Sequence, residues 1–559
     1  MAQSWWQNAV IYQIYPKSFM DANGDGIGDL QGIISKLDYL QQLGVDALWL
    51  SPIYVSPHID NGYDISDYRQ IDQRFGTNAD MYALIAAAHQ RHLKIVMDLV
   101  ANHTSDQAVW FQESKKSRHN YFSDFYIWRD PKSDGSEPNN WAANFGGSAW
   151  TYVPERQQYY LHYYAKEQPD LNWENPLVRQ AIYDMMRFWK AQGVDGWRMD
   201  VISSISKDQH FTDYPDKLNR PYVLSDQNNG PRLHEFIQEM NREVLAPFNM
   251  MSVGEAPGAT AANVRKFVDP ERKELDMVFS FEHMRADRKA GGVNGKWDYD
   301  HFDLLKLKDS LTKWQDNLRD HGWNALYFEN HDRARIVSRW GNDQKYRYQS
   351  ATAFATVLHG MQGTPFVYQG EEIGMTNATF ALADHEDIEI TTNYRQYVEQ
   401  DQTMTATEFL AAAQKLSRDH ARTPMQWDTS ANAGFTIGRP WFQLNPNYRQ
   451  INVATDRQQH ASIFKYYQQL IQLRHQFPIL TTGRYQLELP TDQQLFVYRR
   501  VTAEQSWLIV ANLSAQIVPI TRLAELVTTE FVFKLKNNTH RCALDENIQP
   551  YEAFILELI

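Results

Sequence analysis

Gly196-Trp-Arg-Met-Asp-Val-Ile202 reads as a short apolar strand that closes on charge, with Arg198 and Asp200 at its carboxyl end. Seven further short apolar runs stand at residues 10–15, 47–51, 95–100, 250–254, 277–281, 325–328 and 365–368. Segments of helical period lie between them, as at 33–43, 81–91, 176–192 and 348–358. Eight alternating β and α units predict a parallel sheet closed as a (β/α)8 TIM barrel. An open, doubly wound sheet would give the same alternation, so periodicity alone leaves that choice open.

The polar residues fall where such a barrel would use them. Asp98 and His103 follow strand three, Glu255 ends strand five, and His331 and Asp332 follow strand seven. The carboxyl face of a barrel carries its active site. A single Asp there is more often a cap or a loop residue, and a lone His is more often structural. Metal ligation by such groups is a further reading, although no HExxH pair occurs. Acids delivered one per strand end, supported by Arg and His, supply what carboxylate chemistry on a glycosidic bond needs.

Two parts of the chain depart from the β/α pattern. Residues 104–171 are polar and rich in Trp, Tyr, Asn, Gly and Pro, too long for a barrel loop, which predicts an inserted domain or a lid. Beyond about residue 480, short alternating runs at 495–500, 507–512, 530–534 and 553–558 predict antiparallel strands. The expected domains are therefore a barrel in two parts (1–103 and 172–480), an inserted domain (104–171) and a C-terminal β-sandwich (481–559).

Composition narrows the function. Net charge is −13 over 559 residues, which argues against a nucleic-acid partner. The 17 Trp and 30 Tyr exceed the needs of a core and suit a sugar-binding cleft. Cys542 is the only cysteine, so no intrachain disulfide can form, which points to the reducing cytoplasm. No secretion signal and no membrane-spanning apolar run is visible.

Asp21-Ala-Asn-Gly-Asp-Gly-Ile-Gly-Asp-Leu30 follows the first strand and matches the opening of a calcium loop. Asp21, Asn23 and Asp25 take ligand positions 1, 3 and 5, Ile27 offers a carbonyl, and Asp29 stands at position 9. Position 12 is Gly32 rather than the bidentate Glu of an EF-hand. A turn rich in Asp and Gly, without metal, would read the same way.

With these motifs in place the chain resembles the α-amylase family of glycoside hydrolases, in its oligo-1,6-glucosidase and α-glucosidase branch. The resemblance rests on Asp98-Leu-Val-Ala-Asn-His103, Gly196-Trp-Arg-Met-Asp200, Val253-Gly-Glu255, Phe328-Glu-Asn-His-Asp332 and Gln168-Pro-Asp-Leu-Asn172. It implies Asp200 as nucleophile, Glu255 as general acid/base and Asp332 as transition-state stabiliser of a retaining, exo-acting α-glucosidase. Arg198 would keep Asp200 ionised, and Glu255 would need a raised pKa. His103 and His331 would bind hydroxyls of the terminal glucose, with Asp60 and Tyr63 beneath it. Arg418, or its rival Arg422, would close the pocket against Asp60, and Phe145 would line it. Val201 accompanies a preference for α-1,6 bonds. The resemblance also implies structural Ca2+ held by Asp21, Asn23, Asp25, Ile27 and Asp29, and a monomer acting on oligosaccharides.

Two departures stand out. Gln-Pro-Arg usually follows the stabilising Asp, whereas Arg333-Ala-Arg335 stands here. Arg285-Ala-Asp-Arg-Lys289 partly matches a sucrose-isomerase loop and fails at Ala286 and Lys289. Sucrose isomerase, trehalose-6-phosphate hydrolase and an α-1,4-acting α-glucosidase are thus the alternatives. A non-catalytic transporter subunit of this family would have lost the carboxylates that this chain keeps.

Overall fold

A parallel strand covered on both faces is apolar throughout rather than alternating, and the eight runs have that character. A computed structural model describes residues 4–215, 221–224 and 228–559. The runs form β1 (Ile11–Ile14), β2 (Ala47–Leu50), β3 (Lys94–Val100), β4 (Gly196–Asp200), β5 (Met251–Glu255), β6 (Met277–Phe279), β7 (Asn324–Leu326) and β8 (Thr364–Tyr368). They close in the order β1-β8-β7-β6-β5-β4-β3-β2, all parallel. Ile11 pairs with Ala47 of β2 on one side and Phe366 of β8 on the other, which excludes the open sheet.

Local chemistry sets where the helices begin. Asn175 caps Pro176–Ala191 by accepting from the Leu177 amide, with Pro at the first helical position. Thr77 and Asp80 form a reciprocal capping box at the start of Asn78–Gln90. The segment expected at 33–43 is two helices, Leu30–Ser35 and Leu37–Leu43, which break at Lys36 (φ −108°, ψ 4°), and Asp29 caps the first by accepting from the Gly32 amide.

After β3 the chain builds a three-stranded antiparallel sheet from Trp128–Arg129, Trp150–Val153 and Gln158–Leu161. Trp141–Ala142 instead pairs with Val223–Leu224, a strand supplied from beyond β4. A hairpin of Tyr54–Val55 and Asp67–Ile71 follows β2 and carries Asp60 and Tyr63 in its loop.

The C-terminal expectation of a sandwich needs correction. The strands β9 (Arg484–Glu488), β10 (Leu495–Val501), β11 (Ser506–Asn512), β12 (Phe531–Lys536) and β13 (Ala553–Leu558) form one antiparallel sheet in the order β9-β10-β11-β13-β12. Its two faces bury alternate residues. Phe496, Tyr498, Trp507, Ile509 and Ile555 join the barrel core. Leu495, Val497, Leu508, Val510 and Phe554 pack with Val518, Leu523 and Ile548. Connecting segments thus cover the face that a second sheet would have covered. Among the described residues no helix is long and apolar enough to cross a membrane.

Candidate active site

Arg198 is 1% exposed and organises the floor of the barrel mouth. It sits mid-strand in β4, in register with Asp98 of β3. Side chains two apart on a strand share a face, so Arg198 and Asp200 point together. Arg198 Nη1 donates to Asp98 at 2.8 Å and Asp200 at 2.7 Å, and Nη2 lies 2.8 Å from Glu255. Glu255 also accepts the Val201 amide at 3.1 Å. Val201 takes φ 36° and ψ 40°, a left-handed conformation that strains a β-branched residue and aims its N–H at Glu255.

Three carboxylates around one guanidinium cannot all ionise cheaply. Burial raises Asp200 well above the usual carboxylate range, Arg198 opposes it, and Glu255 and Asp98 add to the rise. Arg198 is thus the main influence that favours the ionised form of Asp200, against burial and the two neighbouring acids.

Asp332 differs. Burial raises its pKa, yet His331, Arg418 and Arg422 together hold it well below the ordinary value. Arg422 donates to it at 2.9 Å, Arg418 at 3.2 Å, and His331 Nε2 lies at 3.0 Å. Gln13 donates to His331 Nδ1 at 2.8 Å, which leaves the ring proton on Nε2, facing Asp332 and Tyr63.

The remaining residues converge on one pocket. The Tyr63 hydroxyl reaches Asp98 at 3.1 Å and His331 at 2.7 Å, and its ring stacks on His331. Asp60 accepts from Gln168 at 3.2 Å, and burial pushes its pKa up to about 6 against Arg418 and Arg422. His103 meets Gln168 and the Tyr63 carbonyl, and burial lowers its pKa to about 4, so the ring is neutral. Arg418 stands 3.8 Å from Asp60, but its bidentate partner is Asp387. Phe145 lies beneath Arg418, with the guanidinium carbon 5.6 Å from its ring centre. Sequence reasoning missed Gln13 and Asp387. A buried Gln inside an apolar strand was a readable signal for the first; nothing in the polar segment around Asp387 marked the second.

In the Asp21 loop each acid accepts backbone amides. Asp21 takes those of Gly24 and Gly26 at 2.7 Å, Asp25 that of Ile27, and Asp29 those of Ala22 and Asn23. Gly26 is obligatory, since φ is 94° and a Cβ would stand 1.8 Å from the Arg439 carbonyl oxygen. The donors (three carboxylates, one amide oxygen and one carbonyl) suit a hard cation. Among the described residues no Lys, Arg or His forms an ion pair with these acids. Nor do three acidic side chains gather there as a ready cluster, so the amide and carbonyl oxygens would have to complete any cation site.

Comparison with known proteins agrees with this architecture. Residues 13–483 match the alpha amylase catalytic-domain family. The chain is 58% identical over 515 residues to an oligo-1,6-glucosidase of Heyndrickxia coagulans, covering 92% of this chain and 93% of that protein. The crystal structure of Bacillus licheniformis trehalose-6-phosphate hydrolase superposes with a TM-score of 0.91 at 44% identity, each chain fully covered. That of an isomaltulose synthase from Klebsiella sp. LX3 gives 0.94 at 40% identity, again over both whole chains.

Proposed function

Since the chain belongs to the α-amylase family of glycoside hydrolases, we propose that its barrel releases single glucose units from the non-reducing ends of isomaltose and isomalto-oligosaccharides. The observation that carries this reading is the shared guanidinium: Asp200 and Glu255 grip the two ends of Arg198 and lie close together. Retaining glycosidases hold their two carboxyl groups roughly 5–5.5 Å apart, whereas inverting ones leave room for a water.

Asp200 attacks the anomeric carbon as Glu255 passes its proton to the leaving glycosidic oxygen, and a glucosyl ester on Asp200 results. Water, deprotonated by Glu255, then cleaves that ester and restores both groups with net retention. Asp332, held ionised by His331 and by the Arg418 and Arg422 cations, favours the positive charge that develops on the sugar ring. Asp60, His103 and His331 bind hydroxyls of the terminal glucose. Arg418 and Phe145 close the far end, which suits a chain end and excludes the interior of a polymer.

Calcium belongs to the same reading. Asp21, Asn23, Asp25, Asp29 and the Ile27 carbonyl would hold it, and it would supply charge neutralisation and rigidity rather than chemistry. In this reading the monomer is the acting unit. The exposed, solitary Cys542 fits work in the cytoplasm.

The test is to incubate the protein with isomaltose, maltose, sucrose, panose and trehalose 6-phosphate and identify the products. Isomaltose should be cleaved to glucose faster than maltose, and Asp200→Asn should remain folded with activity lowered by several orders of magnitude. Preferred cleavage of maltose, or conversion of sucrose into an isomer, overturns the reading.

A further inference from the structure

Four loops on the carboxyl face of the barrel meet in a further cleft, of about 530 Å³. Residues 142–147 reach it from beyond β3, 221–224 from beyond β4, 292–295 from beyond β6 and 393–401 from beyond β8. Ligand pockets span roughly 300–1,000 Å³, so the space suits sugar rings rather than a single ion. It adjoins the pocket already described. Phe145, which lies under Arg418, stands between Asn144 and Gly146 of the cleft wall. Asp387, the bidentate partner of Arg418, caps the helix Ile388–Tyr394 that brings Asn393 to the same cleft.

The lining has the chemistry of a neutral polyhydroxyl ligand. Among the described residues Asp401 is its only charged side chain, whereas Asn144, Asn393, Gln396 and Gln400 supply amides. An amide offers donors and an acceptor together, which a sugar hydroxyl matches. Among the described residues the side chains of Asn144 and Gln400 make no hydrogen bond, and Gln396 makes a long one, 3.4 Å to Asp401. Leu224 and Val293, each more than half exposed, add apolar surface for the carbon–hydrogen faces of a sugar. Gln396 and Gln400 stand on a wide π-helical turn, Arg395–Gln400, where the Asp401 amide bonds the Gln396 carbonyl. Such turns are rare and cluster at functional sites. Gly146 fixes the junction: at φ 97° a Cβ there would stand 2.9 Å from Gln396 Oε1, so the loop beyond β3 lies directly against this turn.

We propose that this cleft binds the glucose units that follow the leaving one in an isomalto-oligosaccharide, and that it sets a preference for longer chains over isomaltose. The assignment rests on the glucosidase reading above and adds chain length to it. Contacts made there are remote from the bond being cut, so their binding energy serves long substrates and is not realised with isomaltose.

The test compares kcat/KM on isomaltotetraose and isomaltose with the whole protein, and measures binding of both sugars to Asp200→Asn by calorimetry, which does not depend on turnover. In the wild type isomaltotetraose should be favoured roughly tenfold or more, as two neutral hydrogen bonds provide. Asn144→Ala combined with Gln400→Ala removes the unpaired amides, and Val293→Trp fills the cleft from an exposed position. In both variants the ratio should fall toward unity while isomaltose keeps its wild-type kcat/KM, which also shows that the fold is intact. Equal values for the two sugars in the wild type overturn the cleft as a binding site, as does a ratio that both variants keep. A protein inert toward both sugars and toward an aryl α-glucoside refutes the glucosidase reading instead, while calorimetry still decides the cleft.

Discussion

Arg198→Lys is the substitution that most directly tests how the catalytic floor is held. The guanidinium meets Asp98 at 2.8 Å, Asp200 at 2.7 Å and Glu255 at 2.8 Å from a site 1% exposed. It also lies 5.1 Å from the Trp49 ring centre, so its plane is fixed by packing as well as by charge. A lysine keeps the charge but offers one nitrogen on a shorter reach, and cannot span Asp98, Asp200 and Glu255 together. Losing two of the three contacts at about 1.5–3 kcal/mol each amounts to roughly 3–6 kcal/mol. At about 1.4 kcal/mol per decade, kcat/KM on an aryl α-glucoside should fall by roughly two to four orders of magnitude. The melting temperature reports how much of that loss is structural, and the pH–rate profile should shift because Arg198 is the main influence that lowers the Asp200 pKa. Activity within tenfold of wild type, with an unchanged profile, would refute the idea that Arg198 sets the spacing of Asp200 and Glu255 and the protonation of Asp200.

Other outcomes follow from the same geometry. Val201→Thr or Val201→Ala should raise hydrolysis of maltose relative to isomaltose by the equivalent of about 1–3 kcal/mol, measured as a ratio of kcat/KM; an unmoved ratio removes Val201 as the linkage selector. Asp60 has a folded pKa of about 6, above the ordinary carboxylate value, so its contribution to stability is present at acid pH and lost as pH rises through about 6. Asp60→Asn should therefore raise the melting temperature more at about pH 7.5 than at about pH 5, and thermal scans at the two values decide it. Chelation of calcium should lower the melting temperature, and readdition should restore it. Metal analysis finding no calcium after its addition, or a melting temperature indifferent to chelator, sinks the loop assignment.

The barrel was legible because burial on both faces forces strands to be apolar from end to end, so each stood out as a run. The strand β9 was missed for the opposite reason: in Arg484–Glu488 only Tyr485 is fully buried, and one residue makes no pattern. The hairpin Tyr54–Val55 and Asp67–Ile71 escaped notice because its strands are short and partly exposed. In the site, Asp200, Glu255 and Asp332 announced themselves by standing at strand ends. The bidentate partner of Arg418 did not, because Asp387 lies 31 residues upstream as the N-cap of Ile388–Tyr394, and a cap carries no sign of a distant partner. Asp29 is a different lesson. Its position reads as a metal ligand, and the structure also gives it the cap of Leu30–Ser35, so one side chain serves a turn and a helix at once.

The C-terminal sheet lends one of its faces to the core of the barrel, and that fixes how the protein can be dissected. Tyr498 donates to the Val357 carbonyl at 2.7 Å, and Asn537 reaches Thr352 at 2.9 Å, so helix Arg347–His359 is clasped by strands from the end of the chain. A barrel cut free at residue 483 would expose apolar helix surface and leave those carbonyl and hydroxyl groups without their donors. The sheet is a buttress: barrel and sheet should melt in one calorimetric peak, and neither half should be recoverable as an independent module. The Ile559 side chain faces solvent while its amide still donates to the Glu530 carbonyl at 2.9 Å, so the sheet is held to its last residue.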